Sequence, residues 1–341
     1  MERVTRADVA REAGLAPSTV SLILNGRGRQ VKISEATIAR VERIARELNY
    51  IPNAAARSLR SGDSHLIALL MAELPDDPFV PVVHTVLTTA MIEIQRRGYL
   101  LVPLFQSSDD PSDAEVIRSV MGDTQLAGVI RETTSGERFS STLLWNMGIP
   151  VVGMSMIEAD DSADGAALVR IDESAGVAAI IRRTDLPSGD GAHAVFIAGP
   201  NTNHSRQNPV LARFGDRARM LSLPDWDEAT AYQAAFTLLS QDPQLELVCV
   251  ADDSQAPGVI AAARDLDIPV PERLSVLGFG NQEPRSGERL GLTTVEWPLR
   301  EMTRLAVQEV IAAIESPSPE AVGRVRTLPT SPVWRTSVRA R

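Results

Sequence analysis

The sequence predicts an α/β protein with a small all-α N-terminal domain and a two-lobed core built on two parallel sheets. Three observations support this prediction. Residues 1–62 space their apolar side chains as amphipathic helices do and contain no strand pattern. From residue 65 onward, apolar strand-like runs alternate with amphipathic helices, which is typical of parallel sheets covered on both faces. About a dozen such runs are too many for one ordinary sheet, so we expect two.

Domain boundaries follow from where these patterns change. The break between the two sheets is expected near Asp160–Gly165, because the apolar runs pause there and restart at ALVRI. A late helix over LREMTRLAVQEVIAAIES and a strand near GRVRTL then return the chain to both lobes. The expected division is 1–52 for the helical domain, 53–62 for a short helical connector, 63–165 with 296–318 for the first lobe, and 166–295 with 319–341 for the second.

The charge is distributed unevenly along the chain. The protein has 341 residues and a net charge of −10. Residues 1–62 contain eleven Lys and Arg against six Asp and Glu, which gives +5, whereas the remainder contains 23 against 38, which gives −15. A basic N-terminal domain on an acidic core is expected when only that domain contacts nucleic-acid phosphates.

Several classes of protein are disfavoured by what the sequence lacks. It has no run of eighteen apolar residues and no apolar leader at its N-terminus, so we expect a cytoplasmic protein. The single cysteine, Cys249, excludes internal disulfides and lies in an apolar run, which predicts a buried, unreactive thiol. Phosphate-loop, zinc-protease and serine-hydrolase motifs are absent and the four histidines are far apart. We therefore expect no enzyme activity, cofactor or metal.

The N-terminal domain contains a motif with a specific function. Thr5 and Asp8 have the spacing of a capping box, and Gly14 follows as a helix terminator. Pro17 suits the first turn of a second helix, and Ser34 the cap of a third. Two short helices joined by a tight glycine turn form a helix-turn-helix, whose second helix lies in the DNA major groove.

The expected DNA contacts follow from this geometry. The first residues of the second helix reach base edges, while helix ends and loops contact phosphates. The predicted contacts in residues 1–52 are Thr5, Pro17, Ser18, Thr19, Ser21, Leu22, Asn25, Arg27, Arg29, Thr37 and Tyr50.

Two segments, TRADVAREAGLAPSTVSLILNGRG and ARVERIARELNYIPNAAARSLRSG, resemble the headpiece of the lactose-repressor (LacI/GalR) family. IPVVG, FIAGP, PERLSVLGFG and LTTVEWPL resemble the effector-binding core of that family, so the resemblance extends over nearly the whole chain. It implies a periplasmic-binding-protein-like core and a transcriptional regulator, mostly a repressor. It also implies a homodimer that binds a pseudopalindromic double-stranded DNA operator.

The same resemblance assigns a role to the connector. Residues 53–60 match the hinge helix, which pairs with a second copy in the minor groove. Leu59 matches the leucine that wedges between base pairs, Ala56 is small enough for close helix approach, and Asn53 and Arg57 complete the expected contacts. Leu22 departs from the family, which often has an arginine there that reads guanine. The operator sequence therefore cannot be transferred from relatives.

In the family, a small effector binds in the cleft between the lobes. The residues expected to contact it here are Phe79, Ser155, Arg213, Trp226 and Asp252. Gly280 replaces an aspartate that commonly binds the ligand, and the segment after FIAGP lacks the usual R-L-x-G-F motif. Arg206 and Arg213 are alternatives for its arginine, and neither aligns well.

Three interpretations stay open at this point. The core binds a sugar-like or other small effector, or it is degenerate and works without one, or the chain is a solute-binding or enzymatic α/β protein. The helix-turn-helix favours a DNA-binding regulator over the third interpretation.

Overall fold

A computed structural model describes most of the chain, namely residues 4–24, 26–50, 64–71, 81–105, 119–121, 124–133, 144, 146–155, 166–200, 202, 204–316 and 323–341. The protein divides into two compact units, Met1–Ser64 and His65–Arg341. In the ranges just given, no helix combines the length and apolar character needed to cross a bilayer.

The N-terminal unit contains three helices, α1 (Arg6–Ala13), α2 (Pro17–Leu24) and α3 (Glu35–Glu47). The predicted capping box is confirmed, because Thr5 and Asp8 each accept a hydrogen bond from the other's backbone N–H. Gly14 ends α1 in the left-handed conformation, with φ of 63°, and Ser34 caps α3. The helices share a buried apolar cluster of Val9, Ala10, Ala13, Val20, Ile23, Val41, Ile44 and Ala45.

The larger unit consists of strands and helices that mostly alternate. Its strands are β1 (Leu66–Met71), β2 (Leu100–Phe105), β3 (Gly128–Thr133), β4 (Val151–Ser155), β5 (Ala167–Asp172), β6 (His193–Ala198), β7 (Ala218–Ser222), β8 (Leu245–Val250), β9 (Ser275–Leu277), β10 (Thr294–Glu296), β11 (Val325–Pro329) and β12 (Ser331–Val333). Its helices are α4 (Pro81–Arg96), α5 (Ser174–Arg183), α6 (Asn208–Phe214), α7 (Glu228–Gln241), α8 (Ala256–Asp265), α9 (Pro284–Leu290) and α10 (Leu299–Glu315).

Two parallel sheets organise this unit, as predicted. The first has six strands in the order β11-β5-β4-β3-β1-β2 and the second has four in the order β7-β6-β8-β9. Every strand pair described in these two sheets is parallel. A two-stranded antiparallel sheet of β10 and β12, which the sequence pattern did not indicate, lies beside them.

Burial on both faces explains the continuous apolar runs. Along β6, Ala194 and Phe196 belong to one buried cluster, whereas Val195 and Ile197 belong to another on the opposite face. Successive strand side chains point to opposite faces, so a strand covered on both sides needs apolar residues at every position. Cys249 on β8 is 1% exposed, and burial raises the pKa of its thiol, as expected of an unreactive cysteine.

The expected lobe boundaries differ from the strand pairing. Both β5 and β11 were assigned to the second lobe, yet β5 pairs with β4, and β11 pairs with β5, in the first sheet. The pause near Asp160–Gly165 therefore does not separate the sheets. Spacing along the chain detects both β5 and β11, but it does not show which neighbour each strand pairs with.

In the described residues, the chain leaves or re-enters the first sheet at three places: after β5 it continues to the second sheet, after β10 it returns to the first sheet, and after β11 it leaves again for β12. These passages lie against one another. Gly176 donates its N–H to Thr330 Oγ1 at 2.8 Å, and that hydroxyl donates to the carbonyl of Asp172 at 2.8 Å. A Cβ at Gly176 would lie 2.5 Å from Val295, so only glycine permits this approach.

Candidate functional site

The helix-turn-helix surface is formed by α1 and α2. Pro17 and Ser18 at the start of α2 are exposed, whereas Thr19, Ser21 and Leu22 are half-buried. The helix begins directly after the turn that Gly14 makes possible, so its first turn projects from the domain. This is the placement that a recognition helix requires.

The loop and α3 carry further predicted contacts. Arg27 and Arg29 are exposed, and Arg29 forms a two-point ion pair with Glu35, at 2.8 Å from Nε and 3.1 Å from Nη2. The hydrogen bond from Arg29 lowers the pKa of Glu35. Thr37 is part of the α3 cap, because its N–H donates to Ser34 Oγ.

Tyr50 lies at the end of the described N-terminal unit. Its N–H donates to the carbonyl of Ala45 at 2.8 Å, and its side chain packs against the apolar cluster. Its role in DNA contact stays a prediction. Several predicted DNA-contacting residues and one predicted effector contact lie outside the described residues: Asn25, Asn53, Ala56, Arg57, Leu59 and Phe79.

In the larger unit, a polar site forms where parallel strands end. The site is built from residues that come after the ends of five strands. Glu173, Ala251, Phe279 and Trp297 lie within two residues of the ends of β5, β8, β9 and β10, and Arg206 lies eight residues after the end of β6. The carboxyl ends of parallel strands meet at one edge of a sheet, which is where ligands bind in α/β proteins.

Arg206 is the centre of this site. Its Nε and Nη2 donate to the two carboxylate oxygens of Glu173 at 3.0 and 2.8 Å, and its Nη1 donates to the carbonyl of Ala251 at 2.8 Å. The guanidinium carbon lies 4.1 Å from the ring centroid of Phe279 and 4.7 Å from that of Trp297. Arg206 is 7% exposed and Glu173 is 1% exposed, so water screens this pair little.

Two aspartates follow β8. Asp253 is half-buried and accepts hydrogen bonds from Thr294 Oγ1 at 2.6 Å and Asn281 N–H at 2.7 Å. Burial, and secondarily the nearby Asp252, raises the pKa of Asp253 to about 6 despite these hydrogen bonds. Asp252 is half-buried, and a Cβ at Gly280 would lie 3.8 Å from its Oδ2. The Asp252 carboxylate is therefore next to Gly280, the position at which the resemblance predicts a ligand-binding aspartate.

Trp226 precedes α7 and lies beside the end of β6. A Cβ at Gly199 would be 2.5 Å from the indole atoms Cδ2 and Cε3, so the ring lies directly on the glycine backbone. The side chain is nevertheless 37% exposed. A rigidly seated, partly exposed indole is suited to stacking against a ring-shaped ligand.

Two buried polar side chains near the strand ends lack hydrogen-bond partners within the described part of the chain. They are Trp297, through Nε1, and Gln255, through both amide atoms. A buried polar group without a partner costs roughly 1–3 kcal/mol, so a ligand or water that bonds to it is favoured. Over the same residues, no cluster of His, Cys, Asp and Glu side chains has the arrangement to hold a metal ion.

The other two predicted effector contacts take different positions. Ser155 is fully buried at the end of β4, beside the register positions of Thr133 and Arg170. Arg213 donates to the carbonyls of Ile181 and Thr184.

Those carbonyls lie at the C-terminal end of α5, whereas Glu173 immediately precedes its N-terminal end. Of the two arginines that the sequence left as alternatives, Arg206 lies at the strand ends and Arg213 lies at the opposite end of the helices. The structure thus adds Glu173, Arg206, Gln255 and Trp297 to the candidate site. Arg206 had a sequence signal, because it follows FIAGP.

Comparison with known proteins identifies two domains. The profile of the bacterial regulatory proteins, lacI family, matches residues 5–53, and the profile of the periplasmic binding protein-like domain matches residues 191–338. The ribose operon repressor of Escherichia coli is 28% identical over 336 residues, which cover 92% of this chain and 94% of that repressor. Such relatives are transcriptional repressors, not enzymes.

Solved structures show the same fold. A Lac repressor dimer bound to operator and the anti-inducer ONPF has a TM-score of 0.78 at 20% identity, covering 99% of this chain and 100% of that chain. A LacI-family regulator from Enterococcus faecalis with bound ribose has a TM-score of 0.62 at 13% identity, covering 81% and 99%. These matches confirm the predicted fold class, a helix-turn-helix domain followed by a periplasmic-binding-protein-like core.

Proposed function

We propose that the chain is a DNA-binding transcriptional repressor of the LacI family that binds a pseudopalindromic operator as a homodimer. The observation that carries this proposal is the geometry of α1 and α2. The capped first helix, the left-handed Gly14 and the exposed Pro17 and Ser18 support the assignment of α2 as the recognition helix. Two such helices related by a two-fold axis read two half-sites of opposite orientation.

The hinge belongs to the same proposal. Residues 53–60 pair with those of a second subunit in the minor groove at the operator centre, and Leu59 wedges between base pairs. The wedge costs a few kcal/mol of base stacking, which the added contacts of the bent DNA offset. The support is the YIPNAAARSL sequence, which begins within the matched lacI-family segment and extends beyond its end.

The test is selection of DNA from a random pool by the full chain, followed by affinity measurements on the selected site. We expect a symmetric motif, and we expect affinity to fall steeply with salt because phosphate contacts release counterions. Leu59→Ala should abolish specific binding and leave weak non-specific binding. Leu290→Ala, an exposed leucine of the core, is the control and should bind normally. Unchanged operator affinity of Leu59→Ala would contradict the wedge.

The homodimer has its own structural support. Met91 and Ile92 on α4 are 42% and 45% exposed, and Leu100 on the adjoining edge strand β2 is 55% exposed. A cluster of exposed large apolar side chains is expected at a subunit interface. Ile92→Glu should yield a monomer by light scattering, whereas Met147→Glu, at another exposed methionine, should stay a dimer. A monomeric wild-type protein would refute the dimer.

For regulation, we propose that the strand-end site of the core takes a small, sugar-like effector. Three features support this proposal. Asp252 supplies a carboxylate next to Gly280, Trp226 offers an exposed indole face, and the Trp297 N–H and Gln255 amide are available for hydrogen bonds with hydroxyl groups. The relatives include a ribose operon repressor and a ribose-bound regulator. Phe79 and Ser155 stay predicted contacts, and Arg206 replaces Arg213 in the proposed site.

A thermal-shift screen of sugars and nucleosides tests the effector. A ligand that binds only the folded protein, at 100 times its dissociation constant, adds about 2.7 kcal/mol of stability. Asp252→Asn and Trp226→Ala should lose the shift for a ligand that stabilises the wild type. Asp216→Asn, an exposed aspartate outside the site, should keep it.

A flat response across the library would instead support an effector-independent core. One observation favours that second candidate: each nitrogen of Arg206 is already bonded to Glu173 or Ala251. Because the operator selection and the ligand screen are separate measurements, the core result leaves the DNA-binding proposal unaffected.

A further inference from the structure

Arg6 connects the two helices of the helix-turn-helix. It is the first residue of α1, and its Nη1 donates to Ser21 Oγ on α2 at 2.8 Å. Ser18, Ser21 and Leu22 are spaced three and four residues apart, so they share one face of α2. The guanidinium of Arg6 therefore lies beside the face of α2 that begins with the exposed Ser18.

The position of this arginine is unfavourable for the helix itself. The N-terminal turn of a helix favours anions, so a cation there is unfavourable. The acidic residue of that turn, Asp8, pairs with Arg11 and not with Arg6. A guanidinium has five N–H donors, and Ser21 is the side-chain partner that the described residues provide for Arg6. The fold alone thus gives little reason for an arginine at this position.

The recognition helix, in contrast, lacks a cation. Its sequence, PSTVSLIL, contains no basic residue, and Leu22 can make only apolar contacts with bases. Arginine donating to O6 and N7 of guanine is the commonest specific contact in the major groove. Arg6, whose guanidinium lies next to α2, has the cation that this contact needs.

We propose that Arg6 reads a guanine in each operator half-site from α1, in place of the arginine that α2 lacks. The hydroxyl of Ser21 holds one edge of the guanidinium, so that the remaining N–H groups face the base as a two-pronged donor. This inference rests on the proposed operator binding, and it adds a specificity-determining residue to it.

The experiment is DNA selection with the wild type, Arg6→Ala, Arg6→Lys and Arg11→Ala. The wild type should show one strongly preferred guanine per half-site, by roughly 10- to 100-fold over other bases. Arg6→Ala should lose that preference at that position and keep the rest of the motif. Arg6→Lys should lose it too, because an ammonium cannot make the two-point contact, while its salt dependence stays near the wild-type value.

Arg11→Ala is the matched control, since Arg11 is exposed on the same helix and pairs with Asp8. It should leave the motif unchanged. Ser21→Ala should weaken the guanine preference partly, because Arg6 loses its support. Thermal unfolding of each variant verifies the fold, and Arg6→Lys keeps the test valid even if Arg6→Ala unfolds.

Two results would overturn the inference. In the first, Arg6→Ala selects the wild-type motif but binds all sequences more weakly, and the slope of log affinity against log salt concentration falls in magnitude by about one. Arg6 would then contact a phosphate and not a base. If Arg6→Ala selects the same motif with unchanged affinity, Arg6 only supports Ser21. A wild-type protein that selects no motif at all would instead refute the proposed operator binding, so the two failures are distinguishable.

Discussion

Replacing Arg206 by methionine is expected to destabilise the core strongly. Methionine keeps most of the side-chain volume but removes three hydrogen bonds and the charge that balances Glu173. Glu173 is 1% exposed, so its carboxylate would remain in a nearly dry site without a cation. Breaking a buried pair from one side costs about 3–5 kcal/mol. The contacts of the guanidinium with two aromatic rings are lost in addition.

A double-mutant cycle separates the ion pair from general damage. Glu173→Gln alone strands the buried cation and is expected to cost a similar amount. The double variant removes both charges, so it should be about as stable as either single variant instead of showing the sum of the two losses. The assay is urea unfolding of the full chain, monitored by a spectroscopic signal from the core. Arg183→Met is the matched control, because Arg183 is exposed and stacks on Trp334 at 5.3 Å.

Additivity would refute this reasoning. If the double variant loses the sum of the single losses, or if Arg206→Met costs less than about 1 kcal/mol, the pair is screened by water as an exposed ion pair is. Arg183→Met should cost at most about that amount in any case.

Three further predictions concern other parts of the molecule. Gly14→Ala forces a Cβ into the left-handed region at φ of 63° and should reduce the stability of α1 by roughly 1–2 kcal/mol, measured by hydrogen exchange against Glu12→Ala as the control. Burial raises the pKa of Asp253 to about 6, above its unfolded value of about 4, so the folded state holds the proton more tightly between these values. The unfolding free energy should therefore rise by about 1 kcal/mol from pH 7 to pH 5 in the wild type and not in Asp253→Asn, by urea titration. Cys249 should react with a thiol reagent only as the protein unfolds, and reaction in native buffer would contradict its burial.

The N-terminal elements were predictable because their signals are local. A capping box, a glycine terminator and a proline at a helix start each depend on residues within one turn. The structure has α1, α2 and α3 where these signals put them. The hydrogen bond between Arg6 and Ser21 was not predictable, because it joins residues fifteen positions apart across two helices.

The core shows where such prediction ends. Alternation of apolar runs reveals strands, but the placement of β11 in the first sheet depends on its pairing with β5, a segment more than 150 residues earlier. The choice between Arg206 and Arg213 has the same origin. Only seven residues separate them, yet Arg206 precedes α6 and lies at the strand ends, whereas Arg213 is near the end of α6 and reaches the far end of α5.

The buried pair also bears on how the core responds to a ligand. Glu173 lies where the chain leaves the first sheet, and Arg206 follows a strand of the second. A change in the angle between the sheets therefore has to move Arg206, Glu173 or the two aromatic rings that contact the guanidinium. A ligand shifts such an equilibrium only by binding one state better than the other. In the proposed effector site, a ligand that bonds Trp297 and Asp252 would favour the arrangement with the pair intact only if it binds that arrangement more tightly than one in which the pair is broken.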